Sequence, residues 1–170
     1  MARTVEHISD GRLILGSGSG CFEKDYDEYG YEFATPGSPL DALDHNLPLI
    51  TGGLDVLNPA PRRHIPVLIG GGERKTLRIV AERADIWHGF GDAATVAHKH
   101  ELLQRWCAKI GRDPLEIERS AAVSPKTPPA RAEGLRAVGT RLFTDGVEGR
   151  HYDLGPLRDL IAWRDEHNRR

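Results

Sequence analysis

Residues 65–72, Ile65-Pro66-Val67-Leu68-Ile69-Gly70-Gly71-Gly72, decide the fold together with the Glu73-Arg74-Lys75-Thr76-Leu77-Arg78 that follows. A short apolar run stops at three glycines. Behind them Leu77, Val80, Ala81 and Ala84 recur at i, i+3, i+4 and i+7, the spacing of one helix face. The period of the apolar residues therefore changes across the glycines, which makes the stretch a buried strand, a tight turn and an amphipathic helix. Pro66 is tolerable because it stands near the strand's start.

Working outward, the same order repeats. Strands are expected at 12–16, 65–69, 85–90, 117–123 and 141–144, each followed by a helical pattern. Strand-then-helix units of this kind build a parallel sheet with crossover helices on its face. A helix opens at Ser38 and Pro39, with Leu40, Leu43, Leu47 and Ile50 as its apolar stripe and Pro48 kinking its last turn. Gly52-Gly53 and Pro59-Ala60-Pro61 read as an irregular connection, 22–33 as an aromatic, acidic loop, and 125–129 as a proline-rich one. Asp92 caps a longer helix with Leu102, Leu103, Trp106, Cys107 and Ile110 inward, stopped by Gly111 and Pro114. A terminal helix over 154–168 buries Leu157, Leu160 and Ile161.

The composition narrows the class. The 170 residues carry a formal net charge of −2 and no basic block, so neither nucleic acid nor an anionic membrane is an expected partner. No apolar run approaches the roughly 18 residues of a membrane span, and the N-terminus lacks a leader's apolar stretch. Cys21 and Cys107 cannot form a disulfide framework. The expectation is one domain over 1–170 in the cytoplasm.

Three places carry chemistry. At 70–76, a strand, a glycine turn and a helix start bring backbone N–H groups and the positive end of a helix dipole to one small space. Arg74, Lys75 and Thr76 can add donors there, which suits a phosphate; an ordinary turn with solvated charges is the alternative. Gly16, Gly18 and Gly20 let a flat group lie against backbone, or are a plain strand exit. His88 ends a strand and can polarise a substrate group or donate a proton, or be a packed histidine. Phe90 suits an apolar wall and Trp87 the core. His98 and His100 point to different helix faces and make no metal pair, and no metal is expected.

The stretch from His7 to Tyr26, reading His-Ile-Ser-Asp-Gly-Arg-Leu-Ile-Leu-Gly-Ser-Gly-Ser-Gly-Cys-Phe-Glu-Lys-Asp-Tyr, resembles a signature of the luciferase-like flavin-dependent oxidoreductases, in the branch using the deazaflavin coenzyme F420. The 65–78 stretch resembles a second signature, and Ala84-Asp85-Ile86-Trp87 and Asp153-Leu154-Gly155-Pro156-Leu157 also match. The resemblance implies a (β/α)8 barrel, which takes about 250 residues, so this chain corresponds to strands four to eight with residues 1–9 as the tail of the third helix. It would then be an N-terminally truncated, partial barrel, α/β in class, whose open edges promote self-association.

The resemblance also implies coenzyme F420, with FMN as the alternative, its ring beside Gly16, Gly18 and Gly20 and its phosphate at Gly70, Gly71, Gly72, Arg74, Lys75 and Thr76. The substrate would be a small organic molecule, with His88 the catalytic candidate. The family often has four glycines where this chain has three, a Trp where Cys21 stands, and a Gly where Asp10 stands. These departures keep a second reading open: a non-catalytic barrel remnant that binds a phosphorylated ligand or a partner chain.

Overall fold

Pro66 lacks an N–H, and the sheet starts one residue later. In the computed structural model, which describes residues 1–20, 23–30, 32, 38–72, 74–123, 128–146 and 152–169, strand β2 is Val67–Gly70. Before it come α1 (Ala2–Ile8), β1 (Leu15–Ser17), α2 (Glu23–Tyr29) and α3 (Ser38–Asp55). After it come α4 (Arg74–Arg83), β3 (Ile86–Gly89), α5 (Ala93–Ile110), β4 (Glu118–Ala122), α6 (Pro128–Ala137), β5 (Leu142–Thr144) and α7 (Gly155–Asn168). The five strands are parallel and lie in chain order, β1-β2-β3-β4-β5. This is the expected partial (β/α)8-type arrangement. Among the described residues, β1 and β5 are its edges.

Register places Gly70 beside His88, His88 beside Ser120, and Ser120 beside Leu142. Adjacent residues at one level of a sheet share a face, so these four form a row. The next row down the chain, Ile69 and Trp87, faces the helices. Both are fully buried in one core with Leu47, Leu77, Val80, Val96, Leu103 and Leu135. Ile86, on the His88 side, is 2% exposed yet stands apart from that core, so part of the sheet's second face is also covered.

Local chemistry fixes the long helices. The Asp92 carboxylate accepts the Thr95 N–H at the start of α5, and Gly111 ends it in the left-handed conformation at φ 72°. In α3, Leu43 and Leu47 are buried. The Asp44 carboxylate of α3 takes Arg78 at 2.7 Å and Arg83 at 2.9 Å, which ties α3 to α4. The Arg78 hydrogen bond, opposed by partial burial and reinforced by Arg83, holds Asp44 below the usual carboxylate range.

Several local expectations are corrected. α3 runs through Pro48 and Gly52-Gly53 to Asp55; each glycine costs a helix about 1 kcal/mol, which packing against α4 outweighs. The Thr51 hydroxyl donates to the Leu47 and Pro48 carbonyls within the same stretch. Residues 23–29 form a helix rather than a loop, with Glu23 and Asp25 in the first turn, where the dipole favours acids. β1 begins at Leu15, whose N–H donates to Pro66, because β2 offers no strand partner to residues 12–14. Ile110 and Ile161 are 46% and 39% exposed, at a helix end and on an outer flank. Cys21, the ends of the 22–33 segment, Glu73, and 125–127 of the proline-rich loop lie outside the described residues. Among those described, no helix is long and apolar enough to cross a membrane.

Candidate functional site: a glycine turn and an imidazole at the strand ends

The turn after β2 is held from β3. Gly71 has φ +125°, a conformation that side chains rarely adopt, and its N–H donates to the His88 carbonyl at 3.1 Å. Its own carbonyl accepts the Trp87 indole N–H at 2.6 Å. Gly89 makes room for that indole, since a Cβ there would lie 2.6 Å from the ring. Thr76 is buried beneath the turn, its methyl 3.0 Å from where a Gly71 Cβ would be. The Gly71 amide is thus committed to the sheet, and an anion at this turn must be met from Gly72 onward.

A cation stands at that point. A Cβ on Gly72 would collide with the side-chain end of Lys99, reached from α5. Among the described residues, no hydrogen bond or ion pair holds the Lys99 ammonium. The donors expected from sequence are arranged otherwise. The Lys75 ammonium lies 2.6 Å from the Asp41 carboxylate of α3, Arg74 is exposed, and Thr76 supports the turn from within.

His88 stands one strand over from Gly70. Its Nδ1 lies 2.8 Å from the Ser120 hydroxyl, which is fully buried, and its ring meets Phe90 edge-to-face at 4.9 Å. The Phe90 ring also reaches the space above Gly70, 3.8 Å from where a Cβ would sit. Burial pushes the His88 imidazole below its ordinary value, which favours the neutral ring. Trp87 is a core residue, as its apolar run implies, and Phe90 is 55% exposed at the strand exit.

The first glycine loop leaves the sheet beside this turn, because Ser17 registers with Ile69. Among the described residues, a Cβ at Gly16 or Gly18 would meet nothing within 4 Å, so both border space that these residues leave open. Gly20, at φ +70°, lies under the Tyr26 ring, and the Tyr26 hydroxyl donates to the Ser19 carbonyl. A cavity of about 280 Å³ lies between this loop and α3, lined by Ser17, Gly18, Ser19, Tyr26, Leu43 and Asn46. His98 is exposed and His100 buried, on different faces as expected.

Sequence reasoning missed Ser120 and Lys99. Ser120 is the β4 counterpart of His88, a match that requires the register of two strands. Lys99 carries no local signal, because its reach to Gly72 depends on how α5 crosses the sheet.

The parallel sheet, with glycine-rich exits at the C-terminal ends of β1 and β2, is a partial (β/α)8-type barrel. The family model for luciferase-like monooxygenases matches residues 1–167, and the chain belongs to that family. An uncharacterised protein of Mycobacterium tuberculosis is 27% identical over 172 residues, covering 91% of this chain and 58% of its own length, and one from Mycobacterium bovis matches equally. The chain therefore spans little more than half the length of these curated relatives. An F420-dependent secondary alcohol dehydrogenase in complex with an F420–acetone adduct superposes with a TM-score of 0.78 at 11% identity, over 95% of this chain and 72% of that one. The coenzyme F420-dependent tetrahydromethanopterin reductase of Methanopyrus kandleri gives 0.52 at 16% identity, over 75% and 47%. These likenesses establish the fold.

Proposed function

We propose that this chain is an oxidoreductase domain, 1–170, that works by hydride transfer with a deazaflavin, coenzyme F420 before FMN, on a small organic substrate. The observation that carries this reading is the Lys99 ammonium at Gly72, beside the N-terminal end of α4, which has no hydrogen-bond or ion-pair partner among the described residues. That arrangement fits a phosphate-bearing cofactor tail, and the open space at Gly16 and Gly18 fits a flat ring. When bound, the cofactor supplies or accepts the hydride. The chain's own part is to bind the phosphate through Gly72, the first turn of α4 and Lys99, and to lay the ring along the glycine exits. His88 offers a neutral imidazole to a substrate oxygen.

Family membership and the F420-dependent enzymes among its structural likenesses support the cofactor class. Titrating F420, and separately FMN, into the chain by fluorescence tests the reading. Saturable binding that weakens with salt and is tighter for F420 is the expected result. Among the described residues no strand pairs with the outer sides of β1 and β5, which favours a second reading, a non-catalytic unit that binds a phosphorylated ligand or associates with another chain. Salt-sensitive binding without hydride transfer, together with concentration-dependent sedimentation, would select it.

A further inference from the structure

Ser120 is the residue through which β4 enters the site. Its hydroxyl is fully buried, and its partner among the described residues is His88 Nδ1 at 2.8 Å. A hydroxyl carries one proton and accepts through its lone pairs. If Nδ1–H donated to Ser120, the serine proton would be left without an acceptor among the described residues in a buried space, which costs stability. The arrangement that satisfies both groups has the serine O–H donating to an unprotonated Nδ1. The imidazole proton then resides on Nε2. That nitrogen makes no hydrogen bond to a described residue, and it is not among the buried unpartnered atoms, so it is open to solvent. Phe90 packs edge-to-face against the ring and restricts its rotation.

We infer that Ser120 is a positioning residue that locks His88 in the Nε2–H tautomer, so that Nε2–H is presented at the strand ends as a neutral hydrogen-bond donor to a substrate carbonyl or hydroxyl oxygen. The substrate role rests on the proposed oxidoreductase reading; the tautomer itself does not. The row formed by Gly70, His88 and Ser120 gives the donor its setting. On the β2 side Gly70 contributes no side chain and the Phe90 ring reaches over it, so the approach left to an oxygen is at the solvent-open Nε2 itself. On the β4 side the serine occupies Nδ1.

The test is nitrogen-15 NMR of the histidine rings in the full chain without ligand, with His88 assigned through His88→Gln. At pH 7.5 and above, where a model imidazole is neutral, the parent should show a pyrrole-like Nε2 and a pyridine-like Nδ1. Ser120→Ala should lose this preference and show a substantial Nδ1–H fraction, and Ser120→Thr, which keeps the hydroxyl, should restore it. A parent protein in the Nδ1–H form would overturn the inference, as would a Ser120→Ala spectrum indistinguishable from the parent. If Ser120→Ala does not fold, the parent spectrum and Ser120→Thr still decide the matter. Because the readout needs no cofactor, a correct tautomer with no F420 binding would sink the oxidoreductase reading alone. A wrong tautomer with tight F420 binding would sink this inference alone.

Discussion

The Trp87 indole N–H donates to the Gly71 carbonyl at 2.6 Å, so a fully buried residue of the core holds the glycine turn at the edge of the site. The packing of the helix layer and the shape of the turn are coupled through that bond. Trp87→Phe keeps an aromatic ring in the core but removes the donor and leaves part of the indole's volume empty. It should cost about 1–3 kcal/mol in urea unfolding and weaken phosphate-ligand binding several-fold. Loss of stability with unchanged affinity would show that the turn keeps its shape without the indole.

Gly71 and Gly72 should respond differently to alanine. Gly71→Ala forces a side chain into φ +125° and against the Thr76 methyl, and should cost of order 1–3 kcal/mol. Gly72→Ala meets first the flexible end of Lys99, which can swing away, so its stability should change by less than about 0.5 kcal/mol. Displacing Lys99 should nevertheless weaken anion binding. Denaturation midpoints and F420 titrations of the two variants separate these effects.

Between the two lysines near the turn, Lys99 should matter more for ligand and Lys75 for the α3–α4 contact. A charge-assisted contact contributes about 1.5–3 kcal/mol, so Lys99→Ala should weaken phosphate-ligand binding about tenfold or more. Lys75 pairs with the exposed Asp41, and Lys75→Ala should cost at most about 1 kcal/mol of stability and change affinity less than threefold. The reverse ranking, measured by fluorescence titration, would place the anion on the Asp41 side of α4.

His100 should leave a pH signature in stability. Burial pushes its imidazole from 6.5 down to about 4; the Val138 carbonyl that accepts Nδ1–H opposes the shift, and the neighbouring Arg119 charge adds to it. Between those values the unfolded chain holds a proton that the folded chain does not. Stability from this group is therefore complete above about pH 6.5 and falls by about 3 kcal/mol as pH drops toward 4. His100→Gln should flatten that part of the stability profile, which urea unfolding at a series of pH values will show. An unchanged slope would mean that His100 titrates normally.

The order and direction of the strands were legible because the apolar runs and helical stripes alternate so regularly, and the glycine turn was legible because three glycines stand between two different periods. The helix at 23–29 was not, since Tyr26 and Tyr29 among acids give no apolar stripe; the Tyr26 hydroxyl on Ser19 is a contact made after folding. Gly52-Gly53 misled because propensity is local, whereas α3 is held by Asp44 against two arginines of α4. In the site, His88 was visible as a residue type at a strand end. Ser120 and Lys99 were not, because their place depends on register and on helix crossing, neither of which is written in a local pattern. Asp10 is an intermediate case. It stands where the family usually has glycine and adopts φ +56°, which an aspartate tolerates better than most residues, and it pairs with Arg62 at 2.6 Å.

The brevity of the outer strands limits how this sheet can grow. β1 and β5 have three residues each, so either flank offers about 10 Å of backbone to a newcomer. Fibrous templating draws on segments of roughly six or seven residues, stacked in register. These flanks fall well short of that length. A strand added at either flank would gain only a few main-chain hydrogen bonds, so a contact there would have to draw most of its area from side chains and the neighbouring helices.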